Sequence, residues 1–226
     1  MPSFDVKSLH FAWFVGHVLT LLGGALHIAS LLCFYPSNKP YYLAYMGAIG
    51  SYGIVVYQSH GIPSPSGVYV HQLALDENAH YLGLAIFWLL FASQAVSATV
   101  IPFATYSAFH VISYTRSHLL EKNKDLQAKM KTWTDVYYGG AMRFVAIIEV
   151  VAIPARLFLS VLWPFRVTPF LVFCFFLRFR YLSSTYTRQA FADVNAKLDS
   201  VLPPAAKPTY AGLQSMLSRL VNTAVQ

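Results

Sequence analysis

The sequence predicts an all-α fold, a polytopic helical membrane protein with amphipathic C-terminal helices. Three observations lead there. Charged residues make up only 11% of the 226 residues and hydrophobic ones 56%, against about 25% charged in an ordinary soluble domain. So few charges leave apolar surface that only lipid can cover. Apolar runs long enough to cross a bilayer recur along the chain, and the far C-terminus carries a helical apolar period.

The first run, Phe11–Phe34, holds no Asp, Glu, Lys or Arg, and only His17 and His27 interrupt it. At ~1.5 Å per residue it reaches across a ~30 Å hydrocarbon core. It exceeds the ~7–15 residues of a signal-peptide core, so a retained signal-anchor is expected. Tyr41–Gln58 is apolar but rich in Gly and Tyr, and reads either as a span or as an interfacial segment. Leu82–Ile101 reads as a further span, kinked or broken at Pro102. The segment Arg116–Lys131 reads as one solvated helix beside the membrane. Ala141–Trp163 and Val167–Leu182 read as a closing hairpin, with Pro154 kinking its first arm; if shallow, this hairpin would occupy more of the cytosolic leaflet than the lumenal one and favour convex curvature.

Charge then orients the chain. The net charge is +7, and the basic residues gather in Arg116–Lys131 and from Arg178 onward. Such segments stay cytosolic and face phospholipid. Residues 1–187 therefore form a membrane domain of four spans, or five if Tyr41–Gln58 crosses, and residues 188–226 a cytosolic tail. On this reading Asp76 and Glu77 face the lumen.

The tail carries two helical periods. The first, Arg188–Leu202, aligns Phe191, Val194, Leu198, Val201 and Leu202. In the second, Tyr210–Gln226, the residues Leu213, Met216, Leu217, Leu220 and Val221 share one face. Its polar face carries Arg219 as its sole charge. Affinity for membrane must then come from apolar insertion rather than electrostatics, the property of a lipid-packing sensor.

Candidate chemistry is sparse. Glu149 sits in an apolar run, where a carboxylate costs about 2.5–3.5 kcal/mol unless paired or protonated. Arg156 on the same helix and His110 from a neighbour are its candidate partners, and a buried packing contact is favoured over an ion or proton site. Arg178 and Arg180 are placed to snorkel to lipid headgroups. His71 and Asp76 form H-x-x-x-x-D, a spacing that can serve acyl transfer but one common by chance. The eight histidines show no metal-binding spacing, and no cofactor, metal or catalytic residue is expected. Cys33 and Cys174 read as inert buried thiols. The alternative function is a small transporter or channel with Glu149 in its pathway.

Five segments carry a resemblance: LDENAHYL, FHVISYTR, IIEVVAIPA, FLRFRYLSS and the following TRQAF. In this order the chain resembles the transmembrane protein 33 family of tetra-spanning proteins of the endoplasmic reticulum and nuclear envelope, including its fungal pore-membrane branch. The resemblance implies a non-enzymatic membrane-shaping role, with partners among reticulon-type and nuclear pore membrane proteins. It also implies support of nuclear pore complex distribution and a tail that contacts membrane and is open to a nuclear transport receptor; no nucleic-acid-binding module is visible beside the basic segments, so direct contact with nucleic acid is not expected.

Overall fold

The computed structural model describes residues 8–91, 96–162, 167–212 and 215. Helices α1 (Leu9–Leu32) and α2 (Lys39–His60) form the first hairpin. Ser8 caps α1, its side chain accepting from the Phe11 amide at 3.1 Å. The α1–α2 seam is built from small residues. A Cβ at Gly23 would lie 2.5 Å from the Ala44 nitrogen, and one at Gly47 2.6 Å from the Gly16 carbonyl oxygen. Glycine is required at both positions because backbone meets backbone there, the small-residue packing typical of helices in lipid. Tyr41–Gln58 thus belongs to a full-length helix antiparallel to α1. Gly61, at φ +75°, ends α2 in a backbone conformation that suits glycine.

A short helix α3 (Gly67–Leu75) leads to α4 (Glu77–Leu90), which the Asp76 side chain caps by accepting from the Asn78 amide. Leu82–Ile101 is not one span. Helix α4 stops at Leu90, and a 3-10 turn at Ser97–Thr99 precedes α5 (Val100–Tyr114). Pro102 does not break a helix. It lies in the first turn of α5, where its missing N–H has no partner to lose. Helices α4 and α5 are the second hairpin.

The basic segment is not one helix either. A π turn at Thr115–Leu119 ends α5, and Asn123 caps a new helix by accepting from the Leu126 amide at 3.0 Å. That helix runs unbroken through α6 (Lys124–Ile147), a π turn at Ile148–Ala152, and α7 (Ile153–Leu162), 39 residues in all. Pro154 is absorbed by the π turn. The Ile153 N–H reaches the Ile148 carbonyl, five residues back. That wider turn makes room for a ring that would otherwise press on the carbonyl four residues earlier. Helix α8 (Val167–Ser183) returns beside α7 as the third hairpin.

Helix α9 (Thr185–Val201) turns 108° from α8 and packs on α6. Ser184 caps it, while Arg188 donates to the last carbonyls of α8, Tyr181 and Leu182. Thr187 and Ala190 are buried, and the Phe191 ring meets Tyr181. The far half of its apolar face, Leu198 and Val201, is exposed.

Side-chain contacts give the three hairpins a common sense. At one end His10 meets His118, His60 meets Asp76, and Glu77 meets Arg180. That end gathers the start of α1, the 61–76 connection, the basic turn and the start of α9. Asp76 and Glu77 therefore lie beside the basic segment, not at the opposite end. Among the described residues, α1 and the 39-residue helix are long and apolar enough to cross a bilayer. All described elements are helices or turns.

Candidate functional site: a buried ion-pair cluster

Glu149 is carried into the core by the π turn that accommodates Pro154, and only 1% of it is exposed. Three other helices bring groups to it. From α4, the Tyr81 hydroxyl donates to Glu149 Oε1 at 2.7 Å. From α8, Arg180 Nε donates to Glu149 Oε2 at 3.5 Å. From α5, the Tyr106 hydroxyl accepts from Arg180 at 3.0 Å and lies 3.2 Å from the Tyr81 oxygen. Arg180 also donates to Glu77 Oε2 at 2.9 Å and stands 5.3 Å from the Tyr81 ring centroid, a cation–π contact. One guanidinium thus joins two carboxylates, a phenol and an aromatic face, the many-donor recognition that arginine supplies and lysine does not.

The partner of Glu149 is therefore Arg180, not Arg156 or His110. Arg156 lies on the exposed side of α7. His110 stacks 4.4 Å from His17, and Trp13 meets both rings. His17 Nδ1 is hydrogen-bonded to Ser107 Oγ at 2.9 Å, so this histidine group ties α1 to α5. Arg180 is buried rather than extended to headgroups, because two carboxylates and a phenol compensate its desolvation. Arg178, two residues earlier, is half-buried. The cluster chemistry is that of a lock. The carboxylate oxygens and the guanidinium are engaged with one another, and four helices are bound through them.

The His71–Asp76 pairing does not form. His71 is exposed on α3, while His60 Nε2 donates to Asp76 Oδ2 at 2.6 Å. Burial alone would raise the Asp76 carboxyl. The His60 hydrogen bond, with those from Asn78 and the Ala79 amide, outweighs it and holds the group below the ordinary carboxylate range. Cys33 and Cys174 are free and exposed on the protein surface, not buried, as expected of side chains on a face that meets lipid. No group of His, Cys, Asp and Glu among the described residues could hold a metal ion. Leu213, Met216, Leu217, Leu220 and Val221 lie outside the described residues.

Sequence reasoning missed the Glu77–Arg180–Tyr106 half of the cluster and the His60–Asp76 bond. A signal for the first was present. Glu77 and Tyr81 are four residues apart and so share one face of α4.

The family model described as transmembrane protein 33/nucleoporin POM33 matches residues 2–226. The chain is 31% identical to a pore membrane protein of 33 kDa from Saccharomyces cerevisiae, over 95% of this chain and 84% of that one. It is 28% identical to tetra-spanning protein 1 of Schizosaccharomyces pombe, over 95% and 85%. It is 23% identical to mouse transmembrane protein 33, over 96% and 91%. No solved structure matches it. The chain belongs to the transmembrane protein 33/nucleoporin POM33 family.

Proposed function

We propose that this chain is a non-enzymatic membrane-shaping scaffold of the endoplasmic reticulum and nuclear envelope, supporting reticulum structure and nuclear pore complex distribution. The carrying observation is the unequal depth of its hairpins. Helices α1 and α2, with 24 and 22 residues, are about 36 and 33 Å long. Helices α4 and α5, with 14 and 15 residues, are only about 21 and 22 Å. Ser97 meets His27 and Thr99 meets Tyr45, each more than one turn inside the α1–α2 ends. Short arms hung from one basic end occupy more of the leaflet at that end than of the opposite one, and such asymmetry favours convex curvature.

Two further features support the reading. The basic end faces cytosol by the positive-inside rule. The tail face of Leu213, Met216, Leu217, Leu220 and Val221 adds apolar insertion to the same leaflet. The names of two relatives, pore membrane protein of 33 kDa and nucleoporin POM33, point to pore-membrane components as partners. Reticulon-type proteins, and a nuclear transport receptor at the tail, belong to the same proposal. Arg178 is the arginine of the pair left to meet headgroups. Asp at both Leu217 and Leu220, or deletion of 210–226, is expected to lower enrichment of the tagged chain at strongly curved membrane several-fold while leaving integration intact. Unchanged distribution in both variants overturns the curvature mechanism.

A further inference from the structure

We propose that the face formed by α1, α5 and α6 is a binding groove for one phospholipid, its acyl chain lying along α6 and its phosphate at Lys129. The groove has a volume of about 640 Å³ and is lined almost wholly by apolar atoms, within the range of ligand-binding clefts. Small residues make its floor. Ala25, Ala104, Ala108 and Gly140 leave the space that larger side chains would fill, with Phe109 and Trp133 packed together 6.0 Å apart at one end and Phe144 toward the other.

Three observations select the occupant. The first is length. From Trp133 to Phe144 the groove follows eleven helical positions, about 16 Å, close to the ~15 Å depth of a single leaflet's hydrocarbon. The second is polarity along its axis. Trp133, Tyr137 and Phe144 share one stripe of α6, and Lys129 continues that stripe one turn beyond Trp133. Arg116 stands at the same end, two turns beyond Phe109 at the close of α5. No ion pair among the described residues holds either cation. Apolar trough, aromatic collar and free cation follow one another in the order of acyl chain, ester region and phosphate. The third is openness. Helix α9 packs against the neighbouring side of α6, through Asp193 on Arg143 and Tyr186 beside Gly139, and leaves Val136, Tyr137 and Phe144 exposed.

The inference does not rest on the curvature mechanism. A bound lipid here would fill the seam between α6 and the first two hairpins whatever the tail does. The test uses the full chain in phosphatidylcholine liposomes doped with a phosphatidylcholine carrying a photoactivatable acyl chain, with labelled peptides mapped by mass spectrometry. Phe158 and Leu159, exposed on α7, report ordinary lipid contact. Labelling of the 133–144 stretch is expected to exceed that reference several-fold. Gly140→Phe should bring it down to the reference, since Gly140 lines the groove and a Cβ there meets nothing within 4 Å, which leaves a ring room to occupy it. Lys129→Glu, on an exposed site, should lower phospholipid retained through detergent purification severalfold, since it sets a carboxylate against the phosphate in place of the cation. Labelling of 133–144 no greater than the reference overturns the proposal. So does retention indifferent to Lys129→Glu, or cross-linking of the groove to a second copy or to residues 213–226.

Discussion

Glu149 and Arg180 show how a single buried charge is made tolerable. Taken out of water, each ion loses several kcal/mol of solvation, and their mutual attraction offsets this only with good geometry and further hydrogen bonds. Tyr81, Tyr106 and Glu77 supply those bonds. The pair is thus better understood as fixing which helices meet than as a source of net stability. Removing one member should be worse than removing both. Arg180→Met alone is expected to destabilise the detergent-solubilised protein by about 3–5 kcal/mol, because Glu149 stays buried without its cation, whereas Glu149→Leu, which leaves Arg180 its Glu77 partner, should cost less. The double variant should recover much of that loss. A double-mutant cycle on thermal unfolding measures the coupling, and additive losses would show that the two residues do not act as a pair. Glu149 was legible as an anomaly in the sequence, but its partner was not. Arg156 shares its helix and is close in number, whereas Arg180 comes from α8 in a run, LRFRYL, that reads equally well as snorkelling arginines. Partner choice here is set by how α8 returns, a long-range fact that local spacing does not carry. The same holds for Asp76, which took His60 from across a connection instead of His71 from its own neighbourhood.

At the scale of the element, apolar length located α1 and the closing hairpin because burial in lipid depends on composition averaged over many residues. It merged α4 and α5 into one span because the connection between them is itself apolar, so hydropathy shows no gap. It left α2 undecided because tyrosine and glycine lower its hydropathy. Those same residues are what the helix is for: Tyr41, Tyr45 and Tyr52 are buried, and Gly47 seats α2 on α1. The spacing of Gly16, Thr20 and Gly23 on α1 against Ala44, Gly47 and Ser51 on α2 is the signal that would have resolved it. A direct consequence follows. Gly47→Leu must displace the Gly16 carbonyl and the Thr20 backbone, neither of which is a flexible side-chain tip. It is expected to lose about 1–3 kcal/mol or more through overpacking. Gly50→Leu, on the same helix with open space around its Cβ, should be close to neutral or stabilising. Equal effects at the two positions, read by thermal unfolding in detergent, would argue against the close seam.

For the whole molecule, the decisive property is that every hairpin opens toward the same end. The chain passes that end at Ser8, between α2 and α4, between α5 and α6, and at the α8–α9 bend. The opposite end holds the 33–38 turn. Counting spans by hydropathy yields odd or even totals according to how α2 is treated, whereas hairpins contribute crossings in pairs and bring the start of α1 and the α8–α9 bend to one side. By the positive-inside rule, the basic residues at 116–131 and in α9 predict that this side is cytosolic. Accessibility labelling reads this directly. In a background lacking Cys33 and Cys174, single cysteines at Ser64, Asn123 and Ser200 should react with an impermeant maleimide added to sealed, cytosolic-side-out microsomes. A cysteine at Ser37, in the turn between α1 and α2, should react only after the membrane is opened. Protection of Ser64→Cys alongside a reactive Asn123→Cys would place the 61–76 connection on the far side. That would break the Glu77–Arg180 and His60–Asp76 contacts, and with them the unequal hairpin depth from which the membrane-shaping role is argued.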